Sequence, residues 1–197
     1  MTRTTHATVG ICSSYSLSMI MGVDPIYPVI IGVISSLLPD VDTGRSMINK
    51  LLIRIKLFQG KRMKLYYLGL FILLLIAFKL TENVVVGIIC ALCFLLVIGG
   101  HRTWFHSIFM IIPFTVIGNT TNLSTFLLTN GILNYTLHLL LDMLNPGGVM
   151  LLYPVSMKVF RFPVTFKSKS IITRVFEYSA DTVLIYFTFC DAFNRFL

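Results

Sequence analysis

The fold class that the sequence predicts is all-α: a polytopic membrane helical bundle of about six spanning or partly spanning helices. Three observations predict it. Hydrophobic residues make up 56% of the 197 and charged ones 12%, with a mean hydropathy of +0.85, whereas a soluble domain carries about 25% charged residues. The apolar residues come in long runs divided by Pro, Gly and short polar turns. The ionisable residues are not scattered but gather between particular runs. At this length a single integral membrane domain, 1–197, is expected.

Taken in order, the first two runs, about 6–22 and 26–38, are joined by GVDPIYP and stopped by Pro39. The clearest spans are Leu65–Leu80 (LYYLGLFILLLIAFKL) and Val84–Gly100, joined by Thr81-Glu82-Asn83. Each is a little shorter than the roughly 20 residues a full crossing prefers. Two further runs, about 104–118 and 124–144, follow the Gly99-Gly100 break, and Thr103 reads as an N-cap. Val183–Phe189 reads as a seventh membrane-contacting helix, with Asp181, Asp191 and Arg195 arguing against a full span. The N-terminus, with one Arg and a broken apolar stretch, does not read as a cleavable signal peptide.

Charge orients the bundle. The net charge is +8, which in an apolar chain marks cytoplasmic loops and anionic headgroups rather than nucleic acid. Arg45 to Lys64 holds seven Lys or Arg and no acid, and Lys158 to Arg174 holds five more. The basic loop 43–64 and the interfacial loop 145–174 are therefore expected in the cytoplasm. Threading the runs outward from them brings His6, Asp40, Asp42, His101, His106, His138 and Asp142 to the cytoplasmic face. These are all four histidines and three of the eight acids.

The four cysteines (Cys12, Cys90, Cys93 and Cys190) lie in or beside apolar runs. Cys90 and Cys93 form a CxxC with no second pair, so they read as small packing residues rather than a zinc or redox motif.

Chemistry-bearing residues sit at those cytoplasmic ends. His138 and Asp142 are four apart, about 40° round a helix, so they share a face and can grip one ion. Asp40 and Asp42, after Pro39, are expected in an extended run pointing alternately. His101 and His106 would be about 140° apart on one continuous helix, which places His101 in a loop and His106 in the next helix's first turn. Arg102 between them suits a phosphate or an Asp. Three His with two or three Asp match Zn, Mn or Fe(II). A catalytic site with an open position for water fits better than a structural one.

The series TH near the N-terminus, SLLPDVD, HRTWFHS, HLLLD, NPGG and an aromatic-Pro stretch resembles the YdjM-like bacterial membrane-bound metal-dependent hydrolases, from His6 to about Pro163. That family looks distantly related to the α-helical zinc phospholipase C and nuclease group. The resemblance implies metal ligation by His6, Asp40, His106, His138 and Asp142. Asp42, His101 and Arg102 would be catalytic or rim residues, or serve a second metal. Phe105 stands where the family's HRxxTHS form has threonine.

The implied function is hydrolysis of a phosphoester, such as a lipid headgroup, by a metal-activated water, with Zn or alternatively Mn. The expected partners are membrane lipids and an amphiphilic phosphorylated substrate, with no nucleic acid, at the bacterial inner membrane. Loop 145–174 could roof the site, or anchor at the lipid interface with Lys158 and Arg161 near headgroups. Glu177 could return to the site as a base. The rival reading is a transporter or channel using the His/Asp cluster as an ion or proton site. Its polar residues would then be expected near the midplane, in repeated halves. A scaffold that binds through the basic loop leaves the His/Asp convergence unexplained.

Overall fold

The computed structural model describes residues 2–42, 62–100, 102–167 and 170–196. Most of the basic loop expected at 43–64, and His101, lie outside the described residues. Among the described residues there are seven α-helices and no strand: α1 (Arg3–Met21), α2 (Ile26–Leu37), α3 (Arg62–Thr81), α4 (Val84–Ile98), α5 (Ile111–Thr120), α6 (Thr125–Met143) and α7 (Ile171–Phe196). Short 3-10 turns cover Leu38–Asp42, Trp104–His106 and Ile108–Met110. The chain forms two compact units. One comprises Met1–Leu38, Thr125–Leu151 and Val159–Leu197, and the other Pro39–Ser124 and Leu152–Lys158.

In the first unit α1 and α2 form an antiparallel hairpin whose backbones nearly touch. A Cβ added at Gly32 would stand 1.9 Å from Ser14 Oγ and 2.9 Å from the Gly10 carbonyl, so only glycine fits there. The contact runs along buried residues spaced by four: Gly10, Ser14 and Ser18 on α1, and Pro28, Gly32 and Ser36 on α2. Such small-residue stripes let membrane helices approach closely. α6 lays its own four-spaced stripe, Asn130, Asn134, His138 and Asp142, against both. Asn130 Nδ2 donates to the Pro28 carbonyl (2.8 Å) and Asn134 Nδ2 to Ser14 Oγ (3.0 Å), while Ser13 Oγ donates to Asn134 Oδ1 (2.6 Å). These pairings make α6 parallel to α2 and antiparallel to α1. They also bring His6, His138 and Asp142 to one end of the unit.

Beyond α6 the chain doubles back. Val149 and Phe160 exchange backbone hydrogen bonds of 2.9 and 2.8 Å, and Phe162 N–H reaches the Met143 carbonyl (3.0 Å). α7 then runs parallel to α1, joined by Cys12 Sγ–H to the Ala180 carbonyl (3.1 Å) and Tyr15 Oη–H to the Phe187 carbonyl (3.3 Å). It starts at Ile171, twelve residues before the expected Val183. Its inner edge is the spacing Thr173, Glu177, Ala180, Leu184 and Phe187.

In the second unit α3 and α4 form a hairpin whose outer surface is apolar. Lys64–Thr81 is long and apolar enough to cross a membrane, and 6% of it is buried. Leu65, Leu73, Ile76 and Leu80 are all more than half exposed, a surface that water does not tolerate over such an area. Asn83 caps α4, its Oδ1 accepting from Val85 N–H (2.9 Å) and Val86 N–H (3.4 Å). The Phe78 ring lies so close to Gly87 that an added Cβ would meet it at 2.8 Å.

Three of the other helices fall short of a crossing by length. α2, α4 and α5 have 12, 15 and 10 residues, or about 18, 22 and 15 Å at 1.5 Å per residue, against a hydrocarbon core of about 30 Å.

Three local expectations are corrected. No single helix covers 104–118: two 3-10 turns precede α5, which begins at Ile111. Pro113 has no N–H for the Phe109 carbonyl and its ring would clash there, which disfavours a regular helix through both. Thr103 does not cap by its side chain but donates to the Gly100 carbonyl (2.5 Å), and it is Ser107 Oγ that accepts from Phe109 N–H (3.3 Å). The LPDVD stretch is likewise a 3-10 turn rather than an extended run. The turn continues directly from α2, and Pro39, its second residue, has no N–H to carry the α2 hydrogen-bond ladder further.

Candidate metal centre

Three of the residues singled out in the sequence meet in the first unit. His6 is the fourth residue of α1, and His138 and Asp142 lie one turn apart near the end of α6. All three are buried, at 2%, 1% and 3% exposure. His6 Nε2 stands 3.3 Å from Asp142 Oδ1 and His138 Nε2 3.9 Å from Asp142 Oδ2. The two imidazoles stack, with centroids 3.8 Å apart and planes inclined by 23°. One ligand atom from each residue lies within 4.8 Å of the others. A tetrahedral ion bound at about 2.1 Å holds its ligands roughly 3.4 Å apart, so these residues fit a zinc-sized ion with only small adjustment.

The tautomer decides how the group reads chemically. His138 Nδ1 is 2.6 Å from the Ser36 carbonyl. A carbonyl only accepts, so Nδ1 carries the hydrogen, and in the neutral ring the Nε2 lone pair points toward the Asp142 carboxylate. A cation between the two acceptors, either a proton or a metal ion, would satisfy both in this buried site. Asp142 is held on its other side, where Asn145 Nδ2 donates to Oδ1 at 2.7 Å. Partners of this kind, which fix the ring or carboxylate behind the donor atom, are the usual support of a metal ligand.

The second unit holds a looser pair. His106 is fully buried, in the 3-10 turn after Thr103, and its Nε2 is 4.0 Å from Asp40 Oδ1. Ser107, next in sequence, donates to the Tyr153 carbonyl (2.7 Å), and Trp104 packs edge-on against Tyr153 with centroids 5.1 Å apart. This anchors the turn to the 152–158 segment. Arg102 takes a left-handed backbone (φ 64°), uncommon for a side chain with a Cβ, at the break that Gly99-Gly100 introduces. The side chain of Asp42 and the whole of His101 lie outside the described residues.

Glu177 does not stand as a bare base. Its Oε1 accepts hydrogen bonds from the hydroxyls of Thr2, Thr4 and Thr5. Burial pushes its carboxyl up, but the hydroxyl bonds from Thr2, Thr5 and Thr4 and the Thr5 backbone outweigh this and hold it below the usual carboxylate range.

Sequence reasoning missed Ser36, Asn145 and the threonine cluster. Asn145 stands three residues after Asp142, a spacing that could have been noticed. Ser36 acts through its carbonyl, which any residue carries.

These features define an all-helical protein that has a helix able to cross a membrane and a buried His/Asp group able to hold a metal ion. The family model for the YdjM inner membrane protein matches residues 1–193, and the chain belongs to that family. No curated protein and no solved structure matches the chain.

Proposed function

We propose that this chain is a multi-pass inner-membrane hydrolase that uses a divalent metal ion, zinc or alternatively manganese, to cleave a phosphoester of an amphiphilic substrate such as a lipid headgroup. The site would face the cytoplasm, as the basic segments suggest. The observation that carries the reading is the buried His138 Nε2 facing Asp142 Oδ2, with Nδ1 engaged by the Ser36 carbonyl.

His6, His138 and Asp142 would hold the ion, and Asp40 and His106 supply a further carboxylate–imidazole pair for metal, as the family resemblance implies. When bound, such an ion supplies Lewis acidity toward a phosphoryl oxygen and acidifies water. The chain's own residues do the rest. Ser36 and Asn145 hold the His138 ring and the Asp142 carboxylate in place, which limits the reorganisation needed on binding. With both imidazoles neutral the trio carries the single charge of Asp142, and a divalent ion reverses its sign, which suits an anionic phosphoester. Arg102, whose planar guanidinium suits a phosphate, is a further candidate that the family resemblance implies. Asp42 and His101 would belong to the rim or serve a second metal, as the family resemblance implies.

The test is release of phosphorylated headgroup, or of phosphate, from mixed phospholipid vesicles by the purified chain with zinc or manganese. Asp142→Asn and Arg102→Ala serve as comparisons. Turnover abolished in Asp142→Asn supports the reading. Metal-loaded wild-type protein that cleaves no phosphoester in the panel removes the hydrolase assignment and leaves the metal centre standing.

A further inference from the structure

α7 plays no part in the chemistry just described, yet it touches the chain beside a proposed ligand. Its Glu177 carboxylate gathers the hydroxyls of Thr2, Thr4 and Thr5 onto one oxygen. These threonines form the start of α1: Thr2 is the N-cap, its Oγ1 accepting from Thr5 N–H at 3.2 Å, and Thr5 is fully buried. The next residue is His6. Its N–H makes only a long bond, 3.3 Å, to the Thr2 carbonyl.

A helix is weakest in this turn, because its first N–H groups have no partner inside the helix. A ligand placed there is held only as well as the turn is. A carboxylate is suited to the task, since negative charge is favoured at a helix N-terminus.

We propose that Glu177 is a positioning residue that clamps the first turn of α1 and so fixes His6 in the metal centre. The proposal rests on the metal-centre reading and deepens it. α7 becomes part of the site's support rather than a helix merely attached to the outside of the bundle. Cys12 and Tyr15 join the same two helices farther along, so the clamp and the general docking of α7 can be separated.

The experiment measures zinc affinity of the detergent-purified full chain by chelator competition, together with amide exchange in the first turns of α1. Glu177→Ala is expected to bind zinc about tenfold more weakly or worse, the loss typical when a ligand's support is removed, and to exchange faster at residues 3–6. Glu177→Gln should recover to within about threefold, because its carbonyl oxygen still accepts the hydroxyls without the charge. Thr5→Val, which removes one hydroxyl and nearly preserves shape, should fall between them and covers the case in which Glu177→Ala fails to fold. Cys12→Ala should bind like wild type. Wild-type zinc affinity in Glu177→Ala, or an equal loss in Cys12→Ala, overturns the clamp and leaves the metal centre intact. Wild-type protein that binds no zinc overturns the centre, and the clamp with it.

Discussion

The α1–α2–α6 bundle and the α3–α4 hairpin are built from the same kind of apolar chain but in opposite senses. In the bundle the helices turn serine, asparagine, histidine and aspartate inward and pack through glycine. In the hairpin Leu, Ile and Phe face outward over most of α3, and the few buried side chains are Tyr67, Cys90 and Cys93. A site needs the first arrangement. Interhelical hydrogen bonds and close backbone contact lock together the helices that carry His6, His138 and Asp142.

Glycine substitution sharpens the contrast most. Gly32→Ala would drive a methyl into Ser14 Oγ and the Gly10 carbonyl, whereas at Gly69 in α3 nothing lies within 4 Å. Gly32→Ala is expected to cost about 3 kcal/mol as overpacking, seen as a large fall in thermal midpoint in detergent. Gly69→Ala should leave the midpoint unchanged or raise it slightly, since alanine favours a helix over glycine by up to about 1 kcal/mol. Equal effects at the two positions would contradict the distinction.

Next in size are the polar contacts. Asn134→Leu removes hydrogen bonds to Ser13, Ser14 and Asn130 and should cost about 1–2 kcal/mol, measured as the fall in midpoint. Asn145→Ala, which frees Asp142 Oδ1 from a 2.7 Å bond, should weaken zinc affinity about tenfold with little change in helicity. A loss of helicity matching the loss of zinc would mean that Asn145 holds the fold rather than the carboxylate.

The smallest expected effect is acidic. Because Glu177 has a folded-state pKa below its unfolded value, its contribution is fully present above the unfolded value and lost as pH falls through the folded one. Amide protection in the first turn of α1 should therefore hold at neutral pH and weaken below the usual carboxylate range. The Glu177→Gln protein should lack that pH dependence.

The two regions also differ in how legible they were. The hairpin could be read almost to the residue, Leu65–Leu80 against Arg62–Thr81 and Val84–Gly100 against Val84–Ile98, because an uninterrupted apolar run has one reading. His138 and Asp142 were legible for a similar reason: four residues on a helix define a face without any tertiary knowledge. The bundle's packing was not. Its stripes repeat every four residues, but serine and glycine look like loop formers unless the partner stripe is known. The break before α5 was missed because Pro113 was read as part of a span rather than as a residue that disfavours helix at Phe109. The bond from Glu177 to Thr5 joins residues 172 apart, and no local pattern announces it.

The measurement that bears most directly on the central claim is the metal content of the detergent-purified chain by elemental analysis. Wild type would be compared with His138→Ala, Asp142→Asn and the hairpin variant Gly69→Ala after equal exposure to zinc and manganese. The account predicts bound metal in the wild type and Gly69→Ala, and its loss in both centre variants while their helicity is kept. A wild-type protein without metal, or centre variants that retain all of it, would contradict the account.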